Sequence, residues 1–381
     1  FNVNTGQRAF KNSAPADHIC LCTQNLPDTF SGDELNNPSK YFDVKKYDGT
    51  GNSTTNTITG VGFQPDLIWC KKRSASSNHV LYDAIRGTSN ALRSNQKSAE
   101  SAFGNAVVTP TSTGFTITGS DTNGLNDSGT YISWLWDAGT AAATASTDGN
   151  ITPSAQWVNA TAGFSISKFT GNDTSGATVG HGLGAKPELI IIKNATQTYD
   201  GGAPWIVGHE GIASGAWTHY IPLNDSAGET DNAGMFNDTA PSNTVVTLGG
   251  SWYVNESSES MIMYAWTSIP GYSSFGKYTG NNNSDGTFIH CGFSPRYIMV
   301  RSLTNARNWL IWDTARTSGN GALRPDVDNN ELTGTYELID IVSNGFKMRT
   351  NTTNMNAAED HMYAAFAEYP FKVSRAHFTT T

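Results

Sequence analysis

A block of about a hundred residues is written three times in this chain, and internal repetition constrains architecture more tightly than any single residue can. Each copy opens on a Lys-aromatic-x-Gly turn: Lys46-Tyr47-Asp48-Gly49, Lys168-Phe169-Thr170-Gly171 and Lys277-Tyr278-Thr279-Gly280. Fifteen or sixteen residues after the lysine comes Gly-x-x-Pro, with Gly62 and Pro65, Gly184 and Pro187, Gly292 and Pro295. A short apolar segment closed by a cation follows each proline: Leu67-Ile68-Trp69-Cys70-Lys71, Leu189-Ile190-Ile191-Ile192-Lys193 and Tyr297-Ile298-Met299-Val300-Arg301. Next is an aromatic-rich run: His79-Val80-Leu81-Tyr82-Asp83, Trp205-Ile206-Val207-Gly208-His209 and Trp309-Leu310-Ile311-Trp312-Asp313. Every copy closes on an asparagine and, ten or eleven residues on, an aromatic: Asn126 and Trp136, Asn255 and Trp266, Asn356 and Phe366.

The local patterns are those of strands. Phe115-Thr116-Ile117-Thr118, Phe164-Ser165-Ile166-Ser167 and Phe346-Lys347-Met348-Arg349 alternate apolar with polar, as strands with one buried and one wet face do. Gly/Asn/Asp/Ser/Thr clusters between them are turn chemistry. Helical signals are thin, a turn or two within 84–92, 95–103 and 138–145. Proline lacks a ladder donor and disfavours helix before it, so each Gly-x-x-Pro marks a strand start. The uniformly apolar run behind it predicts a central strand covered on both faces. The closing Lys71, Lys193 or Arg301 is read as the point where that strand re-emerges into water.

The fold class expected is therefore all-β: three tandem β-sandwich-like repeats of about 100 residues after a partial N-terminal module. Residues 1–38 read as the end of a truncated module or anchor, 39–139 as the first repeat and 140–160 as an Ala/Thr/Ser/Gly linker. The second repeat is 161–268, and the third, with a C-terminal tail, is 269–381. Tyr272 and Phe275 are expected to seat in the Pro-Gly joint between the last two. The repeats are expected to pack in series around cores of their own, Trp69, Trp134, Trp136, Trp205, Trp266 and Trp309 among the core residues.

Composition narrows the function. Only 15% of residues are charged, against about a quarter in typical soluble domains, so solubility rests on hydroxyls and amides. A net charge of −9 opposes nucleic-acid binding, which needs a basic stripe. No apolar run has the length of a membrane span. The four cysteines, Cys20, Cys22, Cys70 and Cys291, are too sparse for a disulfide scaffold and read as reduced thiols.

The residues that could carry chemistry read mainly as structure. His209, Glu210, His219 and Asp200 lack the tight spacing of a local zinc site. Asp326, Asp328, Asn330 and Glu331, like Asn172-Asp173 and the 281–285 loop, offer oxygens of the kind calcium takes, but ordinary solvated turns share that composition. No cofactor is expected. Asp83 with Arg86 and Asp313 with Arg316 recur in two blocks, which favours structural ion pairs over an acid and a base. Among the tryptophans, Trp157, Trp217 and Trp252 stand outside the repeat, and Trp217, His219 and Tyr220 in the second block's insertion are the expected ligand-binding residues.

The chain also resembles a repeat module of tailed-phage structural proteins, of the kind found in marine and cyanobacterial phages. The resemblance is carried by Ser39-Lys40-Tyr41-Phe42 leading to Tyr47-Asp48-Gly49-Thr50-Gly51-Asn52, by Gly62-Phe63-Gln64-Pro65-Asp66-Leu67-Ile68-Trp69 and by Leu81-Tyr82-Asp83-Ala84-Ile85-Arg86-Gly87. His181-Gly182-Leu183-Gly184 and Ala364-Ala365-Phe366-Ala367-Glu368-Tyr369-Pro370-Phe371-Lys372 extend it. Such arrays often follow a SPRY- or concanavalin-like sandwich, whose end Asn4-Thr5-Gly6-Gln7-Arg8-Ala9-Phe10 and residues 20–27 resemble. The resemblance implies a virion location, a tail fibre, head fibre or other appendage, and copies of the chain and other virion proteins as partners. It transfers no catalytic residues. The expected function is thus non-enzymatic and structural, without nucleic-acid binding or membrane insertion. A carbohydrate-binding adhesin contacting a host surface glycan is the alternative, and a polysaccharide depolymerase the second alternative.

Overall fold

A computed structural model describes residues 37–370 apart from 52–53, 103–106, 119–123, 142–144, 317–320 and 333–337. All but the last two residues of the expected N-terminal module, with Cys20 and Cys22, lie outside the described residues, as does the tail after 370. Strands make up 44% of the structure and helix 6%, the nearly all-β content that the two-residue periodicity predicts. The weak helical signals at 84–92 and 95–102 resolve into turns and the strands Gly87–Arg93 and Ser101–Ala102. Among the described residues the two short α-helices, Ala233–Phe236 and Trp252–Asn255, both lie in the second block.

Each block builds the same antiparallel four-strand unit in the same spatial order. In the first the order is Phe42–Asp48, Thr130–Trp136, Leu67–Lys72, His79–Asp83. In the second it is Phe164–Thr170, Ser260–Trp266, Leu189–Asn194, Trp205–His209. In the third it is Ser273–Thr279, Asp360–Pro370, Phe293–Ser302, Leu310–Asp313. A smaller sheet covers one face of each unit, as Asn56–Ile58, Gly114–Thr118 and Val107–Thr111 do in the first block. Pro65 and Pro187 stand just ahead of their strands. Pro295 instead sits at a register shift inside a longer one, a position that tolerates a missing ladder donor.

The strand after each proline is central and covered on both faces, as expected, but its two faces belong to different cores. Ile68 and Cys70, Ile190 and Ile192, Ile298 and Val300 each face a core private to their block. Leu67 and Trp69, Leu189 and Ile191, Tyr297 and Met299 face a fourth core that all three blocks share. The six landmark tryptophans, together with Tyr272 and Phe275, lie in this shared core. Trp136 of the first block meets Trp266 of the second at 6.3 Å and Phe366 of the third at 5.7 Å between ring centroids. The blocks therefore surround a common apolar axis instead of following one another in series. Burying the wide aromatic faces of three sheets against one another removes more apolar surface from water than end-to-end contacts could.

Buried polar groups lock this arrangement in one rotational sense. Lys71, Lys193 and Arg301 are fully buried, which corrects the expectation that they re-emerge into water. Lys71 Nζ donates to Asp328 O of the third block at 3.0 Å and to Ser77 O at 2.6 Å. Lys193 Nζ donates to Lys97 O of the first block at 2.6 Å and to Ala203 O at 2.5 Å. Arg301 Nη2 donates to Ala227 O of the second block. Indoles repeat the sense: Trp205 Nε1 donates to Arg93 O at 2.9 Å and Trp309 Nε1 to Pro222 O at 3.0 Å. Through these five side chains each block thus reaches into one neighbour, first to third, third to second, second to first.

The remaining landmarks close each block on itself. Asn126 Oδ1, Asn255 Oδ1 and Asn356 Oδ1 accept from Thr50, Asn172 and Asn281 N at 3.0, 3.0 and 3.1 Å. Their amide groups donate to carbonyls of the surrounding loop. A Cβ at Gly49, Gly171 or Gly280 would lie 1.7, 2.2 or 2.0 Å from a backbone oxygen beside that asparagine, so no other residue fits the turn. Residues 140–160, expected as a linker, instead carry Thr140–Ala141 and Ala155–Asn159, which extend the second block's sheet. Gln156 there bonds Ser167, which helps bury the face of Phe164–Thr170 expected to be wet.

Because the shared core belongs to no single block, chemical denaturation should give one cooperative transition, coincident by near-UV and far-UV signals, in place of three. Asn255→Ala should lower stability by about 2–4 kcal/mol through carbonyls and amides left unpaired, measured as a fall in the urea midpoint with the m-value unchanged.

Candidate functional site

The expected ligand residues do not form one surface. Trp217 is 2% exposed and belongs to the second block's private core. Its ring meets Phe236 edge-to-face at 5.2 Å, and its N–H points to Glu210 Oε2 at 3.4 Å. Trp217 is thus no stacking platform: the helix Ala233–Phe236, unsignalled by periodicity, closes over it. His219 is half-buried with its ring 2.7 Å from Thr218 Oγ1. Tyr220 packs half-buried against the core, and burial together with the neighbouring Tyr253 and Asp225 raises its phenol above the ordinary value.

Tyr220 leads to an aromatic group that the sequence only half disclosed. Tyr199 is 73% exposed and stands 5.9 Å from Trp252, edge-to-face, while Trp252 lies 4.4 Å from Tyr253. Trp252 was recognisable as a tryptophan outside the repeat. Tyr199 and Tyr253 had no such mark, because their significance comes from two loops meeting. Asn194, fully buried, joins those loops: its Nδ2 donates to Trp252 O at 3.0 Å and its Oδ1 accepts from Gln197 N at 3.1 Å. Gln197 Oε1 in turn accepts from Tyr199 N at 2.7 Å. Ser251 caps the helix that carries Trp252 and Tyr253.

A concavity of about 270 Å³ lies where Trp157 of the second block faces the first. Gln64, Asp66, Tyr82, Asp83 and Pro110 are among its walls. Burial pushes the Asp66 carboxyl up to about 8, with the charge of Asp137 adding to the shift, although Ala138 N donates to it. Asp137 is raised as well, first by burial, while Gly139 N and Asn159 Nδ2 donate to it. The two carboxyls are close neighbours that shift each other. Glycoside hydrolysis instead uses two carboxyls held about 5–9.5 Å apart across the scissile bond. Asp66 serves as a strand cap, as Glu188 does by accepting from Ser268 N at 3.1 Å. In the third block Arg296 pairs there with Glu368 at 3.0 Å.

The other polar candidates are structural in their contacts. Asp83 and Asp313 bind Arg86 and Arg316 at 2.5 and 2.7 Å, fully buried, as their recurrence suggested. Each also accepts from the block next door, Asp83 from Tyr264 Oη at 2.7 Å and Asp313 from Trp134 Nε1 at 3.0 Å. His209, in the equivalent place, faces Tyr363 O at 3.1 Å, and burial lowers it to about 4. In the 326–331 loop, Asp326 binds Asn308 and Glu331 binds Arg73 and Arg316. Among the described residues no group of three or more His, Cys, Asp and Glu side chains is placed to hold a metal. Neither Cys70 nor Cys291 is in a disulfide, and burial pushes the Cys291 thiol up to about 12.

Residues 37–370 match the family described as a domain of unknown function, DUF7483, and the chain belongs to that family. The match takes in all three blocks as one unit, in keeping with their common core. No curated protein and no solved structure matches the chain.

Two buried groups give opposite pH dependences. Asp66 stays protonated in the folded chain up to about 8 but ionises near 3.8 when unfolded, so folding takes up a proton and stability falls as pH rises between those values. Burial lowers Lys193 from 10.5 to about 7, so folding releases a proton and stability rises with pH between those values. Asp66→Asn should flatten the first limb and Lys193→Met the second, read as urea midpoints at pH 5, 7 and 9.

Proposed function

We propose that this protein is a non-enzymatic structural component of a tailed-phage particle, displayed on its surface as part of a tail fibre, head fibre or similar appendage. One observation carries the non-enzymatic part: the residues that recur as potential chemistry are spent on closing the body. Lys71, Lys193 and Arg301 donate across blocks to main-chain carbonyls, and Asp83 and Asp313 are saturated by arginine and by a neighbouring block's indole or phenol. A body closed by a shared core and cross-block hydrogen bonds suits load-bearing and display. The particle location is supported by the sequence resemblance to phage appendage repeats. Its partners in this reading are other virion proteins and copies of itself.

The test is the mass of the full chain in solution by light scattering, together with incubation on capsule and lipopolysaccharide. The expected result is a discrete homo-oligomer of the 40.9 kDa chain and no release of reducing ends. Saccharide release would overturn the reading in favour of a depolymerase, and a strict monomer at micromolar concentration would remove self-assembly from it.

A further inference from the structure

The aromatic group of the second block breaks the threefold plan. The loop after the central strand carries Tyr199 in the second block, whereas its counterparts, 73–78 and 303–308, contain no aromatic residue. The positions three and two before the recurring asparagine hold Trp252 and Tyr253, against Asn123-Gly124 and Thr353-Asn354. Closure of the body is achieved in all three blocks, so a feature confined to one does not serve closure. The group is also built to hold its shape. Buried Asn194 ties both loops together, where the other blocks have Lys72 and Ser302. An exposed tyrosine ring kept in position by a dedicated buried amide is a preorganised contact surface.

We propose that Tyr199, Trp252 and Tyr253 bind a neutral saccharide. Stacked C–H faces of a pyranose suit a flat exposed ring whose hydroxyl stays in water, and aromatic side chains combine an apolar face with a polar tip. Two rivals fail on geometry and charge. A quaternary ammonium needs rings standing apart to admit it between them, each within about 6 Å of the cation. Here the rings touch, with centroids 4.4 and 5.9 Å apart, and leave no space. An anionic polymer meets an acidic surround: Asp200 adjoins Tyr199, Asp225 neighbours Tyr220, and Glu256, Glu259 and Asp173 gather past the helix end. Carboxylates beside a stacking ring are acceptors for sugar hydroxyls.

The experiment is isothermal titration of the full chain with neutral oligosaccharides built from glucose, galactose, mannose or N-acetylglucosamine, beside sialylated and uronic-acid counterparts. The expected result is binding of at least one neutral sugar with Kd of about 10 μM to 1 mM and at least tenfold weaker binding of its anionic counterpart. Tyr199→Ala should weaken binding tenfold or more, and Trp252→Ala likewise, with the unfolding midpoint recorded for both. Phe288→Ala, at an exposed aromatic of the third block, should leave it unchanged. No neutral sugar bound at 10 mM, or binding that survives both substitutions, overturns the proposal. Its failure beside a discrete homo-oligomer leaves the assembly reading standing; binding by a strict monomer has the reverse effect.

Discussion

A buried cation reaching from each block to a main-chain carbonyl of the next is the contact on which the rest of the structure depends. Hydrophobic burial is non-directional, so three aromatic sheet faces could collapse together in many rotational settings. Lys71, Lys193 and Arg301 remove that freedom, because each is desolvated and finds acceptors in one arrangement only. An unpaired buried ammonium is far costlier than a misplaced methyl group. The shared core supplies the free energy and the cations supply the register. The three are tuned differently: burial lowers Lys193 to about 7, Lys71 to about 8 and Arg301 to about 10. Lys193, which burial shifts furthest, holds two carbonyl partners, at Lys97 and Ala203.

Much of this was legible in the residues. Strand periodicity, the proline-led central strands and the recurring Asp/Arg pairs are local signals, and local signals survive into the fold. The cations were not legible, because an apolar run ending in lysine reads the same whether the strand exits into water or into a neighbour's carbonyls. The serial arrangement failed for the same reason: the alternation of Ile68 with Trp69 shows two buried faces but not which block covers each. Residues 140–160 read as a linker because small polar residues fill both linkers and edge strands.

The ligand surface was legible only as a region. The second block's departures from the repeat drew attention to Trp217 and Trp252 alike, yet one is sealed by the helix Ala233–Phe236 and the other lies beside exposed Tyr199. Absence from a repeat marks a residue as special without saying whether it is special to the core or to the surface. What decides is the partner loop, and the bond from Asn194 to Trp252 O joins residues 58 positions apart.

The seam between the first and third blocks is the one with no chain running across it, and there the structure concentrates its ionic contacts. Among the described residues Arg296–Asp43 and Arg73–Glu331, both at 2.7 Å, are the ion pairs between blocks. Phe42 and Phe366, from the first and last strands of the described residues, stack there at 5.1 Å. Tension applied between those two strands would therefore act across this seam over a few ångströms, not through the length of the body. The seam would part in shear while the other two joints stayed unloaded, and raising the salt concentration, by screening its ion pairs, would lower the force at which it yields.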